Sequence, residues 1–202
     1  MTEETPTKGE RTRQVVLDAA YRLIIEQGYA ATSMRQIADK AGLALGGIYN
    51  HFSSKEQVFH AILEERHPFI QIVPILNSVQ GDHVEEFVRN AAHTLVDQLG
   101  HHPDFLNLML IEIVEFGGEH VPLLFGKYFP MLLPLAQRIS GLNGNMRSIP
   151  AFVLVRAFLG MFFSYYITEI LLGQAIPKEM QVNALDYFVD IFLHGVLVKE
   201  TV

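Results

Sequence analysis

The chain has 202 residues, half of them hydrophobic and 18% charged, which is enough apolar surface for a sizeable core and excludes wholesale disorder. It has no cysteine, so disulfides and cysteine-based catalysis or metal ligation are excluded, and a cytoplasmic setting is expected. The net charge of −7 argues against a uniformly basic nucleic-acid binder, but the acid is confined: residues 1–60 hold seven Lys/Arg and seven Asp/Glu, leaving eight and fifteen for residues 61–202.

The N-terminal MTEETPTKGERTR is polar and lacks the apolar core of an export signal. From about Gly9, the residues Val16, Ala19, Ala20, Leu23 and Ile24 recur on one helical face, and Gly28 is placed to end that helix. Ser33-Met34-Arg35-Gln36 has the spacing of a capping box and predicts a short helix that stops at Gly42. A second short helix is expected over Leu45–His51. Ser53 or Ser54 can cap a third, beginning at Lys55.

Beyond residue 60 the helices lengthen. Val84, Phe87, Val88, Ala91, Ala92, Leu95, Val96 and Leu99 form one stripe, and His101-His102-Pro103 then breaks the chain. Gly117-Gly118 and Pro122 separate the next pair, Pro130 and Pro134 predict a kinked helix, and Gly141–Gly144 a turn. Two long helices are expected near Ser148–Gly173 and Lys178–Lys199. Ala151–Gly173 invites a membrane reading, but between Arg156 and Glu169 lie twelve uncharged residues, short of the ~20 a spanning helix needs. A buried helix is the better expectation. The predicted fold class is all-α with about nine helices, divided into a helix-turn-helix domain over residues 1–53 and a C-terminal domain over 54–202.

Thr32–Phe59 is the informative stretch. A helix-turn-helix needs a small residue where its helices cross and a glycine in the turn, and Ala38 and Gly42 stand at that spacing. Ile37, Ala41, Leu43 and Ile48 can fill the shared core, leaving the second helix to enter a major groove. With Gly28-Tyr29, Thr32-Ser33, Ile37-Ala38, Ala41-Gly42-Leu43, Gly47-Ile48-Tyr49-Asn50-His51-Phe52 and Ser54-Lys55-Glu56 in order, residues 10–60 resemble the DNA-binding domain of the TetR/AcrR family of bacterial transcriptional regulators.

That resemblance implies phosphate contacts at Ser33, Tyr49, His51 and Lys55. Bases would be read from Ala44, Leu45, Gly46, Gly47 and Asn50 on the short recognition helix, with Arg35 from the helix before it. Leu45 offers only apolar contact and the glycines only backbone, so DNA shape and phosphate contacts are expected to carry much of the specificity. Phe52 reads as core.

The remaining chain is more apolar than a dimer contact alone requires. Phe105, Leu108, Met109, Glu112, Phe116, Phe125, Tyr128, Phe129, Phe162, Tyr165 and Tyr166 are the candidates for a small-molecule pocket, being mostly apolar with a few polar groups. Glu112 interrupts the apolar run LNLMLIEIVEF. It is expected to pair with an arginine such as Arg156 or to contact a ligand, the ion pair being favoured. The resemblance also implies a homodimer through the last two helices, consistent with the apolar face of Leu185, Phe188, Val189, Phe192, Val196 and Leu197. The expected partners are therefore double-stranded operator DNA, a second copy and a small apolar or amphipathic effector that releases a repressor, with no cofactor, metal or membrane. An enzyme would have to rest on His101-His102 with Asp104, or on the lone Glu64-to-His67 spacing, with neither HExxH nor a phosphate loop present. A helical protein-interaction module without DNA would leave the Ser33–Lys55 set as coincidence.

Overall fold

In the computed structural model, described for residues 7–66, 68–99, 107–173 and 175–197, every regular element is a helix or a short helical turn. The expected break at His101–Pro103 and the candidate Phe105 lie outside the described residues. The backbone divides into two compact units: residues 1–70 with 104–126, and residues 71–103 with 127–202. The functional division expected at 53/54 differs from this packing division, because a later piece of chain returns to the first unit.

In the first unit, helix α1 (Lys8–Gln27) starts where Thr7 and Glu10 form a capping box, one that the sequence reading did not identify. Its Val16, Leu17, Ala19, Ala20 and Ile24 are buried, and it ends at Gly28 with φ 89°. Helix α2 (Met34–Ala41) has the capping box predicted for it: the Gln36 amide donates to Ser33 Oγ at 3.3 Å, and the Ser33 amide donates to Gln36 Oε1 at 2.8 Å. Gly42 closes it in the left-handed region (φ 67°, ψ 30°), a conformation that strains any residue bearing a Cβ. Helix α3 (Leu45–Tyr49) is shorter than expected, since the amides of His51 and Phe52 turn back onto the Ile48 carbonyl. Of the two serines before helix α4 (Lys55–Arg66), Ser54 caps it, its Oγ accepting from the Gln57 amide at 3.2 Å.

Ile37 and Ala38 of α2 and Ile48 of α3 are buried, while Ala41 and Leu43 are half-buried. Phe52 is buried, as core. Arg13 pairs with Glu65 and Arg66 with Asp18, tying α1 to α4. Helix α5 (Pro68–Ser78) leads away. Helix α7 (Asn107–Phe116) belongs to this unit, as does the start of α8 (Val121–Tyr128); between them Gly117 and Gly118 both take positive φ.

Here one expectation is overturned. Arg156 is exposed, and Glu112, which is fully buried, is bound instead by His120. The His120 amide donates to Glu112 Oε1 at 2.8 Å, and the His120 ring Nδ1 lies 2.9 Å from Oε2. The tight Gly117-Gly118 turn folds the chain back so that a residue eight positions on satisfies the carboxyl, a local solution that helical spacing does not reveal.

In the second unit, helix α6 (Val84–Leu99) buries all of its predicted stripe except the half-buried Val96. Pro130 and Pro134 do not kink one helix; they separate α8 from helix α9 (Leu133–Ser140) with a 3-10 turn over Phe129–Leu132. Helix α10 runs Ala151–Leu172, starting after Pro150. The last predicted helix is two: α11 (Lys178–Gln181) and α12 (Ala184–Val196), interrupted where Val182 is extended and Asn183 takes φ 57°. Residues 142–147 lace α6 to α12, through Val84 N–H to Asn143 O at 2.9 Å and Arg147 N–H to Val196 O at 2.8 Å. Arg89 bridges Glu85 and Asp190, and His93 meets Asp186 at 2.9 Å. Residues 151–169 of α10 are long and apolar enough to cross a membrane by length and composition. In this unit the helix buries Leu154, Val155, Phe158, Leu159, Phe162 and Tyr166, the pattern of a core helix.

Candidate nucleic-acid interface

The predicted DNA-contacting residues gather on α2, α3 and the turns beside them. Ser33 is exposed at the start of α2, its hydroxyl engaged in the capping box, with the first amides of the helix open to an anion. Arg35 is exposed in the first turn of the same helix. Lys40, in the last turn, is paired with Glu26 at 2.7 Å.

On α3 the side chain of Ile48 is buried, and it anchors the helix. Ala44, Gly46, Tyr49 and Asn50 are exposed; Leu45, Gly47 and His51 are half-buried. Tyr49 is 51% exposed, so its ring and hydroxyl end are open to the surface of α3 only in part, while Ile48 beside it is fully buried. A Cβ built at Gly46 or Gly47 meets nothing within 4 Å, so internal packing does not require either glycine.

Lys55 departs from the expected picture. Its ammonium donates to the carbonyls of Tyr29 (2.7 Å) and Thr32 (2.8 Å) and stands 4.0 Å from the centroid of the Tyr29 ring. Burial pushes its pKa below the ordinary lysine value, partly countered by the charge of Glu115. Tyr29 is itself gripped edge-on by Phe59 at 5.3 Å and Phe116 at 4.9 Å, and burial raises the pKa of its hydroxyl. Thr32 is buried, its hydroxyl donating to the Gly28 carbonyl at 2.9 Å. Tyr29 and Thr32 were noted in the sequence only as parts of a motif. Their role in shaping the α1–α2 turn depends on contacts more than 20 residues away in the chain, and no local pattern signals it.

The pocket candidates fall into both units. In the first, Met109 is half-buried, Glu112 is held by His120, and Phe116 stacks on Phe59 with centroids 5.0 Å apart. In the second, Tyr128, Phe162 and Tyr166 are buried, and Tyr166 Oη donates to the Leu99 carbonyl at 2.8 Å. Tyr165 is half-buried edge-on to Phe188, its hydroxyl pKa raised first by burial. An apolar cavity of about 30 Å³ in this unit is lined by Leu76, Phe87, Leu135, Leu154, Phe158 and Phe192 among others, and by none of the candidates. Among the described residues no cluster of three or more His, Asp or Glu could hold a metal.

Residues 16–62 match the family model described as bacterial regulatory proteins, tetR family. The match runs from within α1 to within α4 and includes Ser33 and Tyr49. Along nearly its whole length the chain is also 24% identical, over 187 residues, to an uncharacterised HTH-type transcriptional regulator of Bacillus subtilis (strain 168), YvkB, covering 92% of this chain and 97% of that one. The matched segment, α1 to α4, is thus similar to the DNA-binding part of TetR-family transcriptional regulators. Solved structures of TetR-family proteins share its fold. A regulator from Mesorhizobium loti superposes with a TM-score of 0.71 at 23% identity, covering 96% of this chain and all of that one. The SmeT–triclosan complex superposes at 0.62 with 22% identity, covering 94% and 93%. In the matched segment α2 and α3 follow one another as the two helices of a helix-turn-helix.

Proposed function

We propose that this regulator is a homodimeric, cytoplasmic repressor, not an enzyme, which a small apolar or amphipathic effector releases from its operator. The observation that carries the DNA half is the surface of Tyr49 on α3, 51% exposed, in the same stretch as the capped start of α2, which matches the family model. Ser33, Tyr49 and His51 hold phosphates and set the register of the protein on the duplex. Ala44, Leu45, Gly46, Gly47 and Asn50, with Arg35, face the bases. This surface is poor in groups that read base edges, so the shape of the DNA carries much of the choice of site.

The dimer reading is supported by an apolar stripe left open on the second unit. The face expected on the last helix is not the open one, since Leu185, Val189 and Val196 are buried within the unit; exposed instead are Tyr187 and Ile191 on α12, with Val153, Ala157, Gly160 and Ser164 on a mostly small-residue face of α10. Two copies meeting there would form a four-helix bundle. They would also set two recognition helices about one DNA turn apart on a pseudo-palindrome. The small-molecule ligand of SmeT, triclosan, supports an effector of similar character for this chain. The apolar void of about 30 Å³ in the second unit holds little more than a water, so an effector entering the core there has to open its own space. Release then requires that it bind the opened conformer better than the DNA-bound one.

The test is a gel-shift titration against genomic fragments, with a Ser33→Ala, Tyr49→Phe double variant alongside. Tight binding to a discrete site that weakens steeply with salt, and that the variant loses, supports the reading. A genome-wide binding selection that recovers nothing would overturn it.

A further inference from the structure

Lys55 stands where the family resemblance expects a phosphate contact, yet its ammonium is already engaged. Two of its three N–H groups go to the carbonyls of Tyr29 and Thr32, and its charge sits over the Tyr29 ring. We propose that Lys55 is a positioning residue that staples the α1–α2 turn onto α4 and thereby aims Ser33 and the first amides of α2 at the DNA, without itself contacting phosphate. This inference rests on the DNA-binding reading of α2 and α3.

The geometry makes the case. Thr32 immediately precedes Ser33, the N-cap of α2, so a bond to the Thr32 carbonyl fixes the plane of the peptide that delivers Ser33. The Tyr29 carbonyl accepts twice, from Lys55 and from the Thr32 amide at 3.1 Å, which closes the turn on itself. The Tyr29 ring fills the space beneath, packed against Phe59 of α4 and Phe116 of α7. Two charge-assisted hydrogen bonds and the contact with the ring hold the ammonium inward, towards the turn. Glu115 adds a nearby negative charge that favours keeping the lysine charged where it is.

Salt dependence separates positioning from contact. Each phosphate neutralised by a lysine contributes about 0.9 to the slope of log Kobs against log salt. The probe is the operator duplex recovered in the binding selection, titrated with wild-type protein and with Lys55→Gln, after stoichiometric titration has fixed the active fraction of each. The expected result is a dissociation constant about tenfold weaker at every salt concentration, with the slope unchanged. In the DNA-free protein, Lys55→Gln should also speed amide hydrogen exchange at Ser33–Ile37. A slope shallower by about 0.9 per protomer would overturn the proposal, as a lysine that touches phosphate would. So would an unchanged dissociation constant with only a smaller active fraction, the mark of a merely structural role. Unchanged exchange at Ser33–Ile37 would overturn it as well. Should wild-type protein bind no duplex, it is the DNA reading that fails, and the exchange measurement still judges the staple.

Discussion

The two units hold their helices by different means. In the first, α1, α2 and α4 each begin on a side-chain cap, from Thr7, Ser33 and Ser54, and α2 is only eight residues long; α3, shorter still, has no such cap and is anchored by the buried Ile48. In the second, α9, α10 and α12 have no side-chain cap, and α10 runs for 22 residues on apolar contacts. Helices of one or two turns are marginal by themselves, so a short helix that must present its first amides to a ligand needs its ends specified locally. A long apolar helix is held by what it packs against, and its ends can be left to proline and turn geometry. The first unit is therefore built to place a few groups accurately, and the second to supply a core and an uncovered apolar stripe.

The contrast can be broken or sharpened by substitution. Glu112→Ala should have the largest effect, because it leaves the buried His120 ring and amide without their acceptor. A loss of about 3 kcal/mol or more is expected in denaturant unfolding, and a loss under 1 kcal/mol would mean the pair is not what closes the α7–α8 turn. Ile191→Glu tests the second unit: a two-fold interface repeats the charge, so the dimer should weaken roughly a hundredfold in sedimentation while the fold is kept. An unchanged dimer would place the interface elsewhere.

Ser33→Ala removes one side of the α2 capping box and should cost about 1 kcal/mol of stability as well as DNA affinity. If stability falls and binding does not, the cap serves the fold alone. Gly46→Ala is expected to act in opposite directions on the two readouts. Nothing in the protein meets the new Cβ, so thermal stability should rise by about 0.5–1 kcal/mol, while affinity falls because the methyl enters the base-facing surface. Equal or tighter DNA binding would remove Gly46 from that surface. The smallest effect belongs to Lys40→Ala, which breaks a surface pair with Glu26 and should change unfolding free energy by under ~0.5 kcal/mol.

The sequence by itself determined the helical class, the capping box at Ser33, the left-handed Gly42 and the membership of Ala38 and Phe52 in the core. Each of these is decided within three or four residues, by helix periodicity, a side-chain cap or the steric freedom of glycine, and such signals survive in any tertiary setting. The α6 stripe was legible for the same reason. Only the tertiary structure decided that Glu112 answers to His120 and not to Arg156, and that Lys55 turns inward to the carbonyls of Tyr29 and Thr32. It alone made Phe116 part of the first unit, against Tyr29 and Phe59. It also split the last helix at Asn183. Where a long polar side chain goes depends on which unpaired carbonyls and amides the folded chain brings within reach. Those partners come from turns and from residues distant in sequence, and hydrophobic periodicity carries no record of them.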